Sequence, residues 1–190
     1  MVAGHSAGGQ FVNRFAAGNQ KEPSGRGSGV TFRYVVANPS SYLYFSERRR
    51  TGGGLNQFAI PDGGTVAACP TYNTYRYGLI GLNEYMASTG PGRIKDQYEG
   101  REVVYLLGSR DTEPNHPFLD RSCPALLQGS YRLERGLVYF NYLQFTFGSG
   151  LLNRHRLAVI PDVGHDSARM FGSACGVRYL LEDLSMGCRN

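Results

Sequence analysis

Apolar residues recur at Phe11, Val12, Phe15 and Ala16, one face of a helix, and Gly18-Asn19 supplies its stop. The spacing predicts a helix directly after Ser6. The pattern lapses over residues 20–29 (QKEPSGRGSG), a polar loop, and resumes as a strand at Phe32–Ala37, closed by Asn38-Pro39. From Ser40 to about Ile94 periodicity is poor while Gly, Pro, Asn and Tyr are frequent, and TYNTYRYGLIGLNEYM carries four tyrosines. Residues 40–100 therefore read as an insertion or lid region rather than a sheet element. Glu102–Gly108 is an apolar run stopped by glycine, the form of a strand buried on both faces of a parallel sheet. Leu133, Leu137, Phe140 and Leu143 or Gln144 fit a helix between about Tyr131 and Phe147. Arg156–Ile160 reads as a strand before Pro161, and a last helix is expected over Val177–Leu184. Turn, helix, strand, insertion, strand, helix, strand, helix is the alternation of an α/β fold, a mostly parallel sheet with helices on both faces.

At 190 residues, 41% of them apolar, residues 1–190 suffice for a single domain with one core. The net charge of +5 is scattered; Arg48-Arg49-Arg50, beside Thr51 and three glycines, is the one tight basic cluster and reads as a solvated loop. No nucleic-acid motif accompanies it, so no nucleic-acid partner is expected. No apolar run approaches the ~20 residues of a membrane span. Cys69, Cys123, Cys175 and Cys188 are widely spaced and form no C-x-x-C pair, so no metal site is expected. Their even count permits one or two disulfides. Cys69-Pro70 and Cys123-Pro124 lie in loop-like sequence where a bridge could pin the insertion; buried free thiols stand as an equal alternative.

Gly4-His5-Ser6-Ala7-Gly8 matches G-x-S-x-G. In a chain with 26 glycines the match alone is weak; its meaning comes from a strand-turn-helix setting, where the two glycines let the backbone turn tightly enough to expose a serine at a helix start. A serine hydroxyl needs a histidine to take its proton and a carboxylate to hold that histidine. Asp111, just past the strand VVYLLG, and His165, just past LAVIP, supply both. Each lies beyond the C-terminal end of a strand, where open parallel sheets place their sites. Among the other histidines, His5 is expected to pack beside the serine turn, His155 to be exposed ahead of a strand, and His116 to be a loop residue. Asp162 and Asp166 are fallbacks for Asp111, too close in sequence to His165 to orient it easily. Tyr72, Tyr75, Tyr77 and Tyr85 fit a lid or pocket wall for an apolar or aromatic acyl group, but aromatic packing within the loop is the favoured reading.

GHSAGG, GSRDT and VGHD, in that order, resemble the nucleophile turn, acid loop and histidine loop of the α/β-hydrolase superfamily. The resemblance covers nearly the whole chain. GHSAGGQFVNRFA, VVANPSSYLYF, CPTYNTYRYGLIGLN and YLLGSRDTEPNHPFLDRSC resemble a little-characterised microbial group within it. The resemblance implies a sheet of about eight mostly parallel strands with the serine turn after the fifth, so the chain reads as the C-terminal part of such a fold, shortened at its N-terminus. It also implies a serine hydrolase working through an acyl-enzyme on a small ester-like substrate without a cofactor. Ser6, Asp111 and His165 would be catalytic, and the backbone N–H of Ala7 would be one oxyanion donor; the second would come from a loop after the third strand, which has no counterpart here. An uncovered sheet edge would invite self-association. The alternative is a catalytically incompetent fragment or a non-catalytic binding relative. Nothing in the sequence fixes a compartment.

Overall fold

Two runs with every residue buried, β2 (Tyr34–Ala37) and β5 (Val103–Gly108), form the centre of the sheet. The computed structural model describes residues 1–182, 185, 187 and 188. β1 (Val2–His5) and β6 (His155–Ile160) flank the central pair in the order β1-β2-β5-β6, all parallel. Strand side chains alternate between faces. Tyr34, Val36, Val103 and Tyr105 therefore enter one core with Val12 and Ala16 of α1 (Ala7–Gly18), and Val35, Ala37, Val104 and Leu106 enter a second core with Met170 and Cys175. Both faces are covered, which is why these two strands are apolar throughout rather than alternating.

The predicted polar loop at 20–29 contains a short helix, α2 (Glu22–Gly27), with Pro23 in its first turn. Its anchor is the fully buried Glu22, which meets Arg101 at 2.5 Å and accepts the Tyr34 hydroxyl at 2.6 Å.

The stretch from Ser40 to Ile94 opens on core: Ser40 through Phe45 is buried. There follow a two-stranded antiparallel ladder of β3 (Arg49–Arg50) and β4 (Phe58–Ala59), then α3 (Gly63–Ala68), α4 (Glu84–Thr89) and α5 (Pro91–Glu99). The arginine cluster is not a solvated loop. Arg49 is buried with its guanidinium 4.3 Å from the Tyr44 ring centroid, and it donates to the carbonyls of Ser46, Arg48, Tyr72 and Tyr77 and to Asn73 Oδ1. Arg50 pairs with Glu134 at 2.5 Å, leaving Arg48 exposed. Hydrogen bonding of all but one nitrogen to fixed carbonyls and the amide is what makes so buried a cation tolerable. Of the four tyrosines, Tyr72 and Tyr77 are buried, while Tyr75 and Tyr85 line a groove of about 290 Å³ with Phe11 and Phe15 of α1.

The acid loop leads through α6 (Cys123–Leu126) to α7 (Arg132–Phe147), whose Val138, Tyr139, Tyr142 and Leu143 close the first core. A 3-10 turn at Ser149–Asn153 then feeds β6. β6 begins at His155, one residue earlier than the pattern predicts, and that histidine is buried rather than exposed. Its ring lies between Tyr98 and Tyr105, with Nε2 3.1 Å from the Tyr98 carbonyl and Nδ1 3.3 Å from the Tyr105 hydroxyl. After α8 (Ser167–Gly172) comes α9 (Ala174–Leu181), which starts earlier than expected because Ser173 caps it, its Oγ accepting from Gly176 N–H at 3.0 Å. The predicted helix end at Leu184 lies outside the described residues. All four cysteines are in disulfides, Cys69–Cys123 joining the end of α3 to α6 and Cys175–Cys188 joining α9 to the C-terminal segment.

Candidate active site

Ser6 stands between β1 and α1 with φ 57° and ψ −118°, a conformation that a residue with a Cβ seldom adopts and that tertiary structure must enforce. Enforcement comes from close approach of the backbone. A Cβ on Gly4 would lie 2.4 Å from the Gly8 carbonyl, and one on Gly9 would lie 2.6 Å from the Ala37 carbonyl oxygen. Gly8, the second glycine of the motif, has open space where its Cβ would be. Gly9 therefore has the steric role that the motif assigns to Gly8. The Ser6 N–H donates to the Ala37 carbonyl at 2.9 Å, so the β1–β2 ladder runs up to the turn itself.

The acid and histidine loops are joined to each other. Gly108 ends β5 at a point where any Cβ would meet the Val163 carbonyl oxygen at 2.4 Å, and the histidine loop lies directly across it. Arg110 N–H donates to Val163 O at 2.9 Å and Ser109 N–H to Ile160 O at 3.0 Å. Asn38 ties all three strand ends together. Fully buried at φ 40°, it accepts Gly108 N–H on Oδ1 at 2.8 Å and donates from Nδ2 to the Gly164 carbonyl at 3.1 Å. In the sequence it reads only as a strand stop before Pro39. Asp111 is fixed through its own backbone, its N–H on Gly108 O and its carbonyl accepting Leu133 N–H from the first turn of α7, both at 3.1 Å.

These loops bring Ser6, Asp111 and His165 together across 159 residues of sequence. His165 Nδ1 lies 2.8 Å from Asp111 Oδ2, and His165 Nε2 lies 2.9 Å from Ser6 Oγ. An ionised carboxylate can only accept, so the ring proton sits on Nδ1 and Nε2 is left to accept the serine hydroxyl proton. Asp111 is 2% exposed, and its other oxygen lies 3.3 Å from Nη1 of the buried Arg132. Neither fallback acid meets His165. Asp162 pairs with Arg110 at the surface, and Asp166 caps α8 by accepting Arg169 N–H.

Two further imidazoles flank His165. His5 packs beside the turn with its ring centroid 4.6 Å away; burial, and then the neighbouring His165, push it down from 6.5 to about 4, so it is neutral at pH 7. His116 is a loop residue whose ring lies edge-on to His165 at 5.1 Å. Its Nδ1 accepts Phe118 N–H at 3.2 Å and faces Arg132 Nη2 at 3.4 Å. Burial and the Arg132 charge lower its pKa. The contacts of Arg132 and His116 have no signal in the sequence, since α7 shows only its apolar period and a loop histidine does not declare its neighbours. Ala7, exposed next to Ser6, opens α1, where the first backbone N–H groups lack intrahelical acceptors. Among the described residues no group of three His, Cys, Asp or Glu side chains could hold a metal ion, and no helix is long and apolar enough to cross a membrane.

No protein-family model matches the sequence, and a search of curated proteins gives no match. Solved structures do match. The chain is similar to poly(aspartic acid) hydrolase-1 from Sphingomonas sp. KT-1, with 29% identity over 88% of this chain and 50% of that one and a TM-score of 0.56. It is also similar to a poly(3-hydroxybutyrate) depolymerase from Bordetella parapertussis, with 22% identity over 99% of this chain and 50% of that one and a TM-score of 0.62. The chain thus spans half the length of each of these hydrolytic enzymes. Its parallel sheet, helices on both faces and likeness to these structures define an α/β-hydrolase-type fold, as the GHSAGG, GSRDT and VGHD resemblance implies.

Proposed function

We propose that the protein is a serine hydrolase that cleaves carboxylic esters through an acyl-enzyme. The observation that carries this reading is the unbroken relay from Ser6 Oγ through His165 to Asp111, at 2.9 and 2.8 Å, starting from a serine held at positive φ at the head of a helix. His165 Nε2 takes the Ser6 proton as Oγ bonds to the ester carbonyl carbon. The carbonyl π electrons move onto oxygen, where the Ala7 N–H at the start of α1 is one donor. The tetrahedral centre collapses, the ester C–O bond breaks, and the proton on Nε2 passes to the departing alkoxide. Water, deprotonated by His165, then attacks the acyl-Ser6 carbonyl; the acid leaves and Ser6 regains its proton. Asp111 stays ionised throughout, holding the ring and stabilising the imidazolium. The two disulfides support folding in an oxidising compartment.

Hydrolysis of a p-nitrophenyl ester panel by the 190-residue chain tests this, with Ser6→Ala as control. The expected result is turnover that falls by about 10⁴-fold or more in the variant; undiminished turnover by Ser6→Ala refutes the assignment. A second reading is favoured by β1, which among the described residues pairs with β2 alone. In that reading the relay is assembled but too little surrounds it for efficient chemistry, and the chain is a catalytically incompetent relative. Covalent labelling of Ser6 without sustained turnover would support it.

A further inference from the structure

We propose that Arg132, the first residue of α7, is a positioning residue of this site: its guanidinium holds one oxygen of Asp111 so that the other faces His165, and its charge opposes the imidazolium that forms as Ser6 gives up its proton. The proposal rests on the Ser6–His165–Asp111 reading above.

Arg132 is fully buried, and a buried guanidinium persists only where its donors and charge are met. Its fork is divided three ways. Nη1 lies 3.3 Å from Asp111 Oδ1, Nε donates to Ser40 Oγ at 3.1 Å, and Nη2 lies 3.4 Å from His116 Nδ1. Asp111 is buried too, with Oδ2 on the His165 ring. One carboxylate is thus shared between a permanent cation and an imidazole, which stops it turning and fixes the oxygen that His165 sees. With its Nδ1 accepting from Phe118 and facing Arg132, neutral His116 carries its proton on Nε2, and burial and the Arg132 charge favour that form.

The same sharing has an electrostatic consequence. When His165 takes the serine proton, Asp111 favours the imidazolium and Arg132 opposes it. The other groups around the site do not replace Arg132. Burial disfavours the charged forms of His5 and His116, Asp166 and Glu113 are exposed, and Arg110 is paired with Asp162 at the surface. Arg132 is therefore a fixed cation against which the imidazolium forms when the serine proton moves to His165.

The test is the pH dependence of covalent inactivation by a fluorophosphonate, which requires the relay but not turnover, measured on the full chain and on Arg132→Met and Arg132→Lys. In Arg132→Met the acid limb should move up by about one pH unit and the plateau rate should fall by about tenfold or more as the carboxylate loses its fixed orientation. Arg132→Lys, which keeps the charge but loses the fork, should return the limb towards the wild-type position with the plateau still reduced. Superimposable limbs and equal plateau rates, with only the final labelling stoichiometry changed, would show a merely structural role and overturn the proposal. If Arg132→Met does not fold, Arg132→Lys decides alone: a reduced plateau on an unmoved limb supports the proposal, and a wild-type plateau overturns it. Ser6→Ala separates the two levels, since labelling that survives in Ser6→Ala refutes the underlying relay rather than the role of Arg132.

Discussion

His155 should make the fold sensitive to acid. Its ring is fully buried between Tyr98 and Tyr105, and desolvation pushes it down from 6.5 to about 4. A depressed histidine is neutral in the folded state while the unfolded chain still binds a proton at 6.5. The stability it contributes is therefore complete above pH 6.5 and is lost as pH falls from 6.5 towards 4. With those two values the loss between pH 7.5 and pH 5 is about 2 kcal/mol. His155→Gln removes the titration while keeping a donor for the Tyr98 carbonyl. Urea denaturation of both proteins at each pH isolates the effect, because His5 and the carboxylates titrate equally in the two. At pH 7.5 the variant should be the less stable through poorer packing. At pH 5 the gap between the proteins should have narrowed by about 2 kcal/mol. Parallel stability curves across that range would refute the reasoning and show that the buried ring accepts a proton without penalty.

Asp111→Asn keeps the packing but lets His165 adopt the wrong tautomer, so ester turnover should drop about 10⁴-fold with little change in KM, measured by steady-state kinetics. Gly9→Ala, which drives a Cβ to 2.6 Å from the Ala37 carbonyl oxygen, should cost about 2–3 kcal/mol in denaturation, whereas Gly8→Ala, with open space at its Cβ, should cost nothing or stabilise α1 by up to about 1 kcal/mol. Replacing Cys69 and Cys123 by serine opens a bridge across a separation of 54 residues, and chain-entropy reasoning puts the loss at about 4 kcal/mol, readable as a shift in the denaturation midpoint.

β2, β5, β6 and the helices after Ser6 and before Phe147 are legible in the sequence because each carries an apolar run or period, whereas β1, four half-buried or exposed residues, has none. Ser6, Asp111 and His165 are legible for a different reason: each stands in a local signature at the end of such an element. What the sequence hides is long-range. Arg49 lies in a polar run just before three glycines, so it looks solvated, yet three of the five fixed oxygens that receive its donors come from a turn 23 to 28 residues away. His155 sits one residue outside an apolar strand pattern, and only the tyrosines brought in from α5 and β5 make its burial tolerable. Asn38 and Arg132 hold the site loops through contacts spanning 126 and 21 residues, which no local pattern encodes. The second motif glycine illustrates the limit of spacing: Gly8 fits the pattern, but the backbone approach that excludes a side chain is at Gly9.

The central claim, that Ser6 is a nucleophile activated by His165, is tested most directly by treating the folded chain with a fluorophosphonate and locating the adduct by peptide mass spectrometry. The expected result is one stoichiometric adduct on Ser6, absent from both Ser6→Ala and His165→Ala. An adduct at another residue, no adduct at all, or labelling of Ser6 that persists in His165→Ala would contradict it.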